Sequence, residues 1–117
     1  MGNKILEISI RVAESGTIVD LVGAIDIGNS PVLRLKLFES MLATSRVAVN
    51  MHGIRYIDSS GIATLIEVLV KARDLKKAFV LFGLGPAVYD VLKLTNLLGV
   101  FHVVDTEEQA LDANAAP

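Results

Sequence analysis

Across Ile5–Val12 apolar and polar residues alternate with period two, Leu6, Ile8, Ile10 and Val12 against Glu7, Ser9 and Arg11. That is the pattern of a half-buried strand. Glu14-Ser15-Gly16 reads as a turn and Thr17–Val22 as a second strand. So short a connection makes the two an antiparallel hairpin. Asp26–Asn29 forms a loop, after which Ser30 caps a helix and Pro31 takes its first position, both residue types being favoured there. Leu33, Leu37, Phe38, Met41 and Leu42 share one face of this helix, with Arg34, Lys36 and Glu39 directed elsewhere. Arg46–Met51 reads as a third strand, followed by a loop into Asp58-Ser59-Ser60-Gly61 and a helix running to about Asp74.

Ala78–Phe82 is continuously apolar, as a strand covered on both faces must be. Gly83–Gly85 turns the chain, Pro86 opens a helix through about Leu98, and Phe101–Val104 forms a last short strand. Thr106 and Gln109 have capping-box spacing for a final helix, and Ala113–Pro117 is expected to fray. Strands alternating with helices after a hairpin predict a single α/β domain, residues 3–113, with a disordered tail at 114–117. Its mixed sheet is mostly parallel beyond the N-terminal antiparallel hairpin and is flanked by about four helices.

The 117 residues suffice for one core, and 52% of them are hydrophobic while only 5% are aromatic. The interior is therefore built from Val, Ile and Leu, with apolar surface to spare for a partner. A net charge of −2 without a basic run argues against a direct nucleic-acid partner. The absence of cysteine removes disulfides, thiolate metal sites and thiol catalysis, and fits a reducing cytoplasm. The most apolar stretch, Ile62–Val70, is interrupted by Glu67 and falls well short of the roughly 20 residues of a membrane span. These features together predict a soluble cytoplasmic protein.

No catalytic pattern emerges. Gly83-Leu84-Gly85 is followed by Val88 where a dinucleotide fingerprint needs glycine. His52 and His102 stand apart from any ligand-spaced cluster and read as surface or loop residues. Ser59 lacks a nucleophile elbow. No enzyme activity, cofactor or metal is expected. What stands out is Asp58-Ser59-Ser60-Gly61, two hydroxyls where an extended segment gives way to a helix. A helix start presents unpaired N–H groups and favours an anion. Asp and Ser are also the ordinary helix caps, and Gly permits a tight turn. The helix that follows is apolar on more than one face, as expected of a partner surface or of a helix sandwiched in the core.

At this motif the chain resembles the STAS family, and within it the bacterial anti-sigma factor antagonists. The residues that carry the resemblance are Tyr56-Ile57-Asp58-Ser59-Ser60-Gly61-Ile62, with Leu21–Asp26 upstream and Gly85–Val88 and Glu107–Leu111 downstream. Ala24 departs from a common Glu, Ala63 from a common Gly, and Asn29-Ser30 from a common Thr; the acceptor position is intact. The resemblance implies that Ser59 is phosphorylated, with Ser60 the neighbouring alternative. It places Asp26, Asp58, Gly61, Ile62 and Leu65 at the flanks of that site and in partner binding. It further implies that the unphosphorylated form binds an anti-sigma factor serine kinase and frees a sigma factor, and that a serine phosphatase is a further partner. The protein itself is expected as a monomer or weak dimer. The alternative role is that of a STAS scaffold or adaptor subunit in a sensory assembly or beside a transporter.

Overall fold

The β1 alternation is realised as a strand over Leu6–Ala13, antiparallel to β2 at Gly16–Ile25. The computed structural model describes residues 5–113; the expected tail at 114–117 and residues 3 and 4 of the expected domain lie outside them. The remaining elements follow as α1 (Ser30–Ala43), β3 (Arg46–Ile57), α2 (Ser59–Asp74), β4 (Ala78–Phe82), α3 (Pro86–Leu94), β5 (His102–Val104) and α4 (Glu107–Leu111). The sheet has five strands in the order β1-β2-β3-β4-β5. Every neighbouring pair after the hairpin is parallel, as a strand–helix–strand rhythm requires. Among the described residues no helix is long and apolar enough to cross a membrane.

Period-two alternation sorts the strand residues onto two faces. Val19, Leu21, Val47, Val49, Met51, Phe79 and Leu81 face the layer of α1, α2 and α3. Ile18, Ala48, Val80 and Phe82 face α4, whose Ala110 is buried against them. α4 is only five residues long, so much of that second face is left to polar groups. There Arg11 bonds both Asp20 and Glu107, and Asn50 Nδ2 donates to Asp20 Oδ1 at 2.9 Å. The Arg11 guanidinium, and after it Asn50, holds the Asp20 carboxyl below the ordinary carboxylate range against the opposing effect of burial.

Several expected boundaries are corrected. β2 and β3 run past Val22 and Met51 to Ile25 and Ile57. Register shifts between Asp20 and Val22 and between Gly23 and Ala24 absorb the broken alternation while the two strands stay paired. The segment before Asp58 is thus strand rather than loop. His52 and His102 both sit in strands rather than loops, His52 at the surface as expected and His102 half-buried. The cap of α1 is Asn29, not Ser30, which is buried as the first helical residue. Leu42 is 70% exposed, outside the stripe formed by Leu33, Leu37 and Met41. α3 stops at Leu94 rather than Leu98, because Thr95 Oγ1 donates to Val91 O at 2.7 Å and Asn96 turns to φ 61°. Leu97 N then donates back to Leu92 O at 2.8 Å, closing the helix with a left-handed Asn. The final helix forms as expected, with Thr106 and Gln109 making both bonds of the capping box.

Candidate functional site

The C-terminal ends of β2 and β3 stop side by side, and each feeds a loop or helix start that carries an aspartate. Asp58 N donates to Ile25 O at 3.1 Å, so the strand pairing reaches to the first residue of the motif. Asp58 is the N-cap of α2: its Oδ1 accepts from Ser60 N at 2.9 Å and from Gly61 N at 3.1 Å. Its Oδ2 accepts from Ile27 N at 3.2 Å. One carboxylate therefore closes the helix start and ties it to the β2–α1 loop.

That loop is built by Asp26 and Asn29. Asp26 Oδ1 accepts from Gly28 N at 2.9 Å and Asn29 N at 3.1 Å. Asn29 Oδ1 accepts from Asp26 N at 2.9 Å, while its Nδ2 donates to Ala24 O at 2.9 Å. These reciprocal bonds fix a polar turn without help from regular structure. They also leave Ile27, whose N–H is held by Asp58, 75% exposed. Asn29 and Ile27 are the residues that reading the sequence missed here; the Asp-x-x-Asn spacing of 26 and 29 was the available signal.

With capping assigned to Asp58, neither serine hydroxyl is needed to close the helix. Ser59 is exposed and Ser60 half-buried, and among the described residues no hydrogen bond engages the Ser59 hydroxyl. Asp58 also changes the electrostatics expected of a helix start. Two of the free N–H groups are bonded to a resident carboxylate, so the anion position is already occupied. No basic residue lies in the first turn of α2 or at positions 56–62. A phosphate on Ser59 would add its charge next to the Asp58 carboxylate, in a stretch of sequence, 56–62, that carries no basic residue.

The other expected site residues divide by burial. Gly61 is buried, and a Cβ there would lie 2.6 Å from both Ile25 Cγ2 and Ile57 Cγ1. Its role is close approach of the helix to the strand ends rather than an unusual turn, since its φ is not positive. Ile62 is 8% exposed and Leu65 fully buried. Both pack into the α1–α2–α3 core, which corrects their expected placement on a partner-facing surface. Most of the apolar excess of α2 is taken up by packing: the exposed positions are Ser59, Ala63, Glu67, Val70, Lys71, Arg73 and Asp74, and Glu67 pairs with Arg34 of α1 at 2.7 Å.

A model of the STAS domain matches residues 7–110. The chain belongs to the STAS domain family. Its fold is that of an anti-sigma factor antagonist from Mycobacterium paratuberculosis, at 18% identity, a TM-score of 0.78 and 93% coverage of each chain. It is also similar to the Bacillus cell fate determinant SpoIIAA in its phosphorylated form, at 21% identity and a TM-score of 0.71, covering 91% of this chain and 97% of that one. A sulfate transporter family protein from Wolinella succinogenes shares the fold at 20% identity, a TM-score of 0.70 and 80% coverage of each chain. Within this STAS domain the Asp58–Gly61 element joins the end of the central strand β3 to α2, the helix most completely embedded in the core.

Proposed function

We propose that this STAS domain is an anti-sigma factor antagonist whose phosphoacceptor is Ser59. In this reading the unphosphorylated form binds an anti-sigma factor serine kinase in the cytoplasm and frees the sigma factor. A serine phosphatase resets the site. The observation that carries the reading is the division of labour at the helix start: Asp58 does the capping, and Ser59 is left exposed with an unengaged hydroxyl. Ser60, half-buried, is the less accessible of the two. The solved antagonists of the same fold support it, one of them a phosphorylated form.

Blocking follows from charge. Phosphate adds about −1.5 to −2 charges at pH 7, here beside the Asp58 carboxylate and the exposed apolar Ile27. A partner covering this surface would bury that charge without a counterion, and an unpaired buried charge costs several kcal/mol. About 4 kcal/mol is roughly a thousandfold in affinity. Because the site stands on strand ends and a capped helix, the switch needs no rearrangement of the fold.

The test is incubation with a cognate kinase and ATP, with the phosphate located by mass spectrometry. Modification at Ser59, and kinase binding retained in Ser59→Ala but lost in Ser59→Asp, is the expected result. A proven kinase partner that modifies neither serine sinks the reading. The fold shared with a transporter family protein favours one competing role, a scaffold or adaptor subunit. That role predicts large or membrane-associated assemblies in light scattering of material from the native cell.

A further inference from the structure

The two edges of the sheet are unlike. β5 is three residues long, and short edge strands are one way in which proteins avoid unwanted pairing. β1 is eight residues long without proline or glycine, and among the described residues nothing pairs with its outer side. Ala24 N donates to Ile5 O, and the β1–β2 register continues from there without a shift. The main-chain groups of Glu7, Ser9 and Arg11 are thereby turned to β2, and those of Leu6, Ile8, Ile10 and Val12 outward. Ile10 is 45% and Val12 86% exposed on the helix-covered face. Beside them lies a groove of about 240 Å³ lined by Ile10, Val12, Thr17 and Ala43, with Lys36 and Glu39 at its rim.

The strand is also a charge-reversing palindrome about Ser9. Leu6-Glu7-Ile8-Ser9-Ile10-Arg11-Val12 read backward keeps every apolar position and exchanges acid for base. An antiparallel copy centred on Ser9 therefore sets Glu7 against Arg11 twice, Ile8 against Ile10 twice, and Leu6 against Val12 twice. The charged pairs fall on one face and the apolar pairs on the other, next to the groove. Both Ile8–Ile10 pairs are in position to exchange main-chain hydrogen bonds, because these are the residues whose N–H and C=O point outward. Glu7 has no hydrogen bond or ion pair among the described residues, whereas Arg11 is already oriented by Asp20 and Glu107 on the face that Glu7 of a second copy would meet.

We infer that β1 is the homodimer interface of this protein: two copies pair antiparallel through their β1 edges about Ser9, joining the sheets into one continuous sheet. The occupant of the edge is a second copy because this strand itself carries the complementary charges in the required order. The two Ser59 sites then lie at opposite ends of the joined sheet, both uncovered. Association and phosphorylation are therefore separable, and the two proposals fail independently.

Sedimentation equilibrium of the whole chain tests the pairing, with expected association at concentrations up to about 1 mM. Glu7→Arg faces Arg11 with like charge at two symmetric places and weakens association by about tenfold. Arg11→Glu alone is weakened likewise, and an equimolar mixture of the two variants recovers dimers, since every cross-chain pair is then Arg against Glu. The chain has no cysteine, so Ser9→Cys gives an unambiguous covalent readout. Residues facing each other across a non-hydrogen-bonded pair have Cα atoms about 4.5 Å apart, within disulfide range. Ser9→Cys is expected to crosslink under mild oxidation, and Ser45→Cys, exposed elsewhere, is not. A wild type that remains monomeric, a dimer indifferent to Glu7→Arg, or Ser9→Cys crosslinking no faster than Ser45→Cys overturns the inference.

Discussion

Removing the Asp58 side chain separates a capping role from a signalling role within a single tetrapeptide. Asp58→Ala deletes the acceptor for Ser60 N and Gly61 N and frees Ile27 N. Loss of a helix N-cap costs typically about 1 kcal/mol, and the loop bond, partly solvated, contributes about 0.5 to 1 kcal/mol. The expected loss is about 1.5 to 2 kcal/mol. In urea, at a slope of about 1.5 kcal/mol/M, the midpoint falls by about 1 M, and Tm drops by about 6 to 8 °C. Asp58→Asn keeps the capping oxygen but turns an amide toward Ile27 N, so it should lose less than half as much. Ser59→Ala should stay within about 0.5 kcal/mol of the parent, as surface substitutions do. Equilibrium urea unfolding of the four proteins at one pH reads all of this directly. If Ser59→Ala cost as much as Asp58→Ala, the serine would be the cap and its availability for modification would lose its basis. Asp58→Ala as stable as the parent would refute the hydrogen-bond assignment itself.

Gly61→Ala should destabilise by about 1 to 2 kcal/mol: overpacking against Ile25 and Ile57 costs about 1 to 3 kcal/mol, and the better helix propensity of Ala returns up to about 1 kcal/mol. A stabilised variant in thermal unfolding would show that the helix start has room to spare. His102 titrates below its ordinary value, chiefly because burial disfavours the imidazolium and then because Arg46 is near. The unfolded chain thus binds the proton more readily, so stability rises with pH through the range around 6.5 and falls as the pH is lowered toward 5.5. His102→Gln should flatten that part of the profile; an unchanged slope in urea midpoints between pH 5.5 and 7.5 would refute the assignment.

The order and type of the elements were legible in the chain because they depend on local patterns. Period two in β1, the unbroken apolar run of β4, Pro31 and Pro86 at helix starts and the Thr106–Gln109 capping box each act over a few residues. The Asp58–Gly61 motif was visible for the same reason, standing out as polar chemistry between apolar segments. Element ends were less legible. β3 looked finished at Met51 because Gly53 and Arg55 break the alternation, yet its pairing with β2 carries it to Ile57.

By itself the sequence determined that this is a hairpin followed by strand–helix units, and that two serines follow an aspartate at a helix start. The tertiary structure decided what those residues are for. Ile62 and Leu65 belong to the core because α2 packs against α1 and the sheet, on the face that α3 also covers, a fact that no spacing within α2 contains. Gly61 is glycine because two isoleucines from different strands converge on it. Ser59 is free because Asp58, with one oxygen on α2 and the other on a loop 31 positions away, takes the capping bonds. Local propensity assigns an element from its neighbours in sequence, while exposure and hydrogen-bond partnership are settled by neighbours in space.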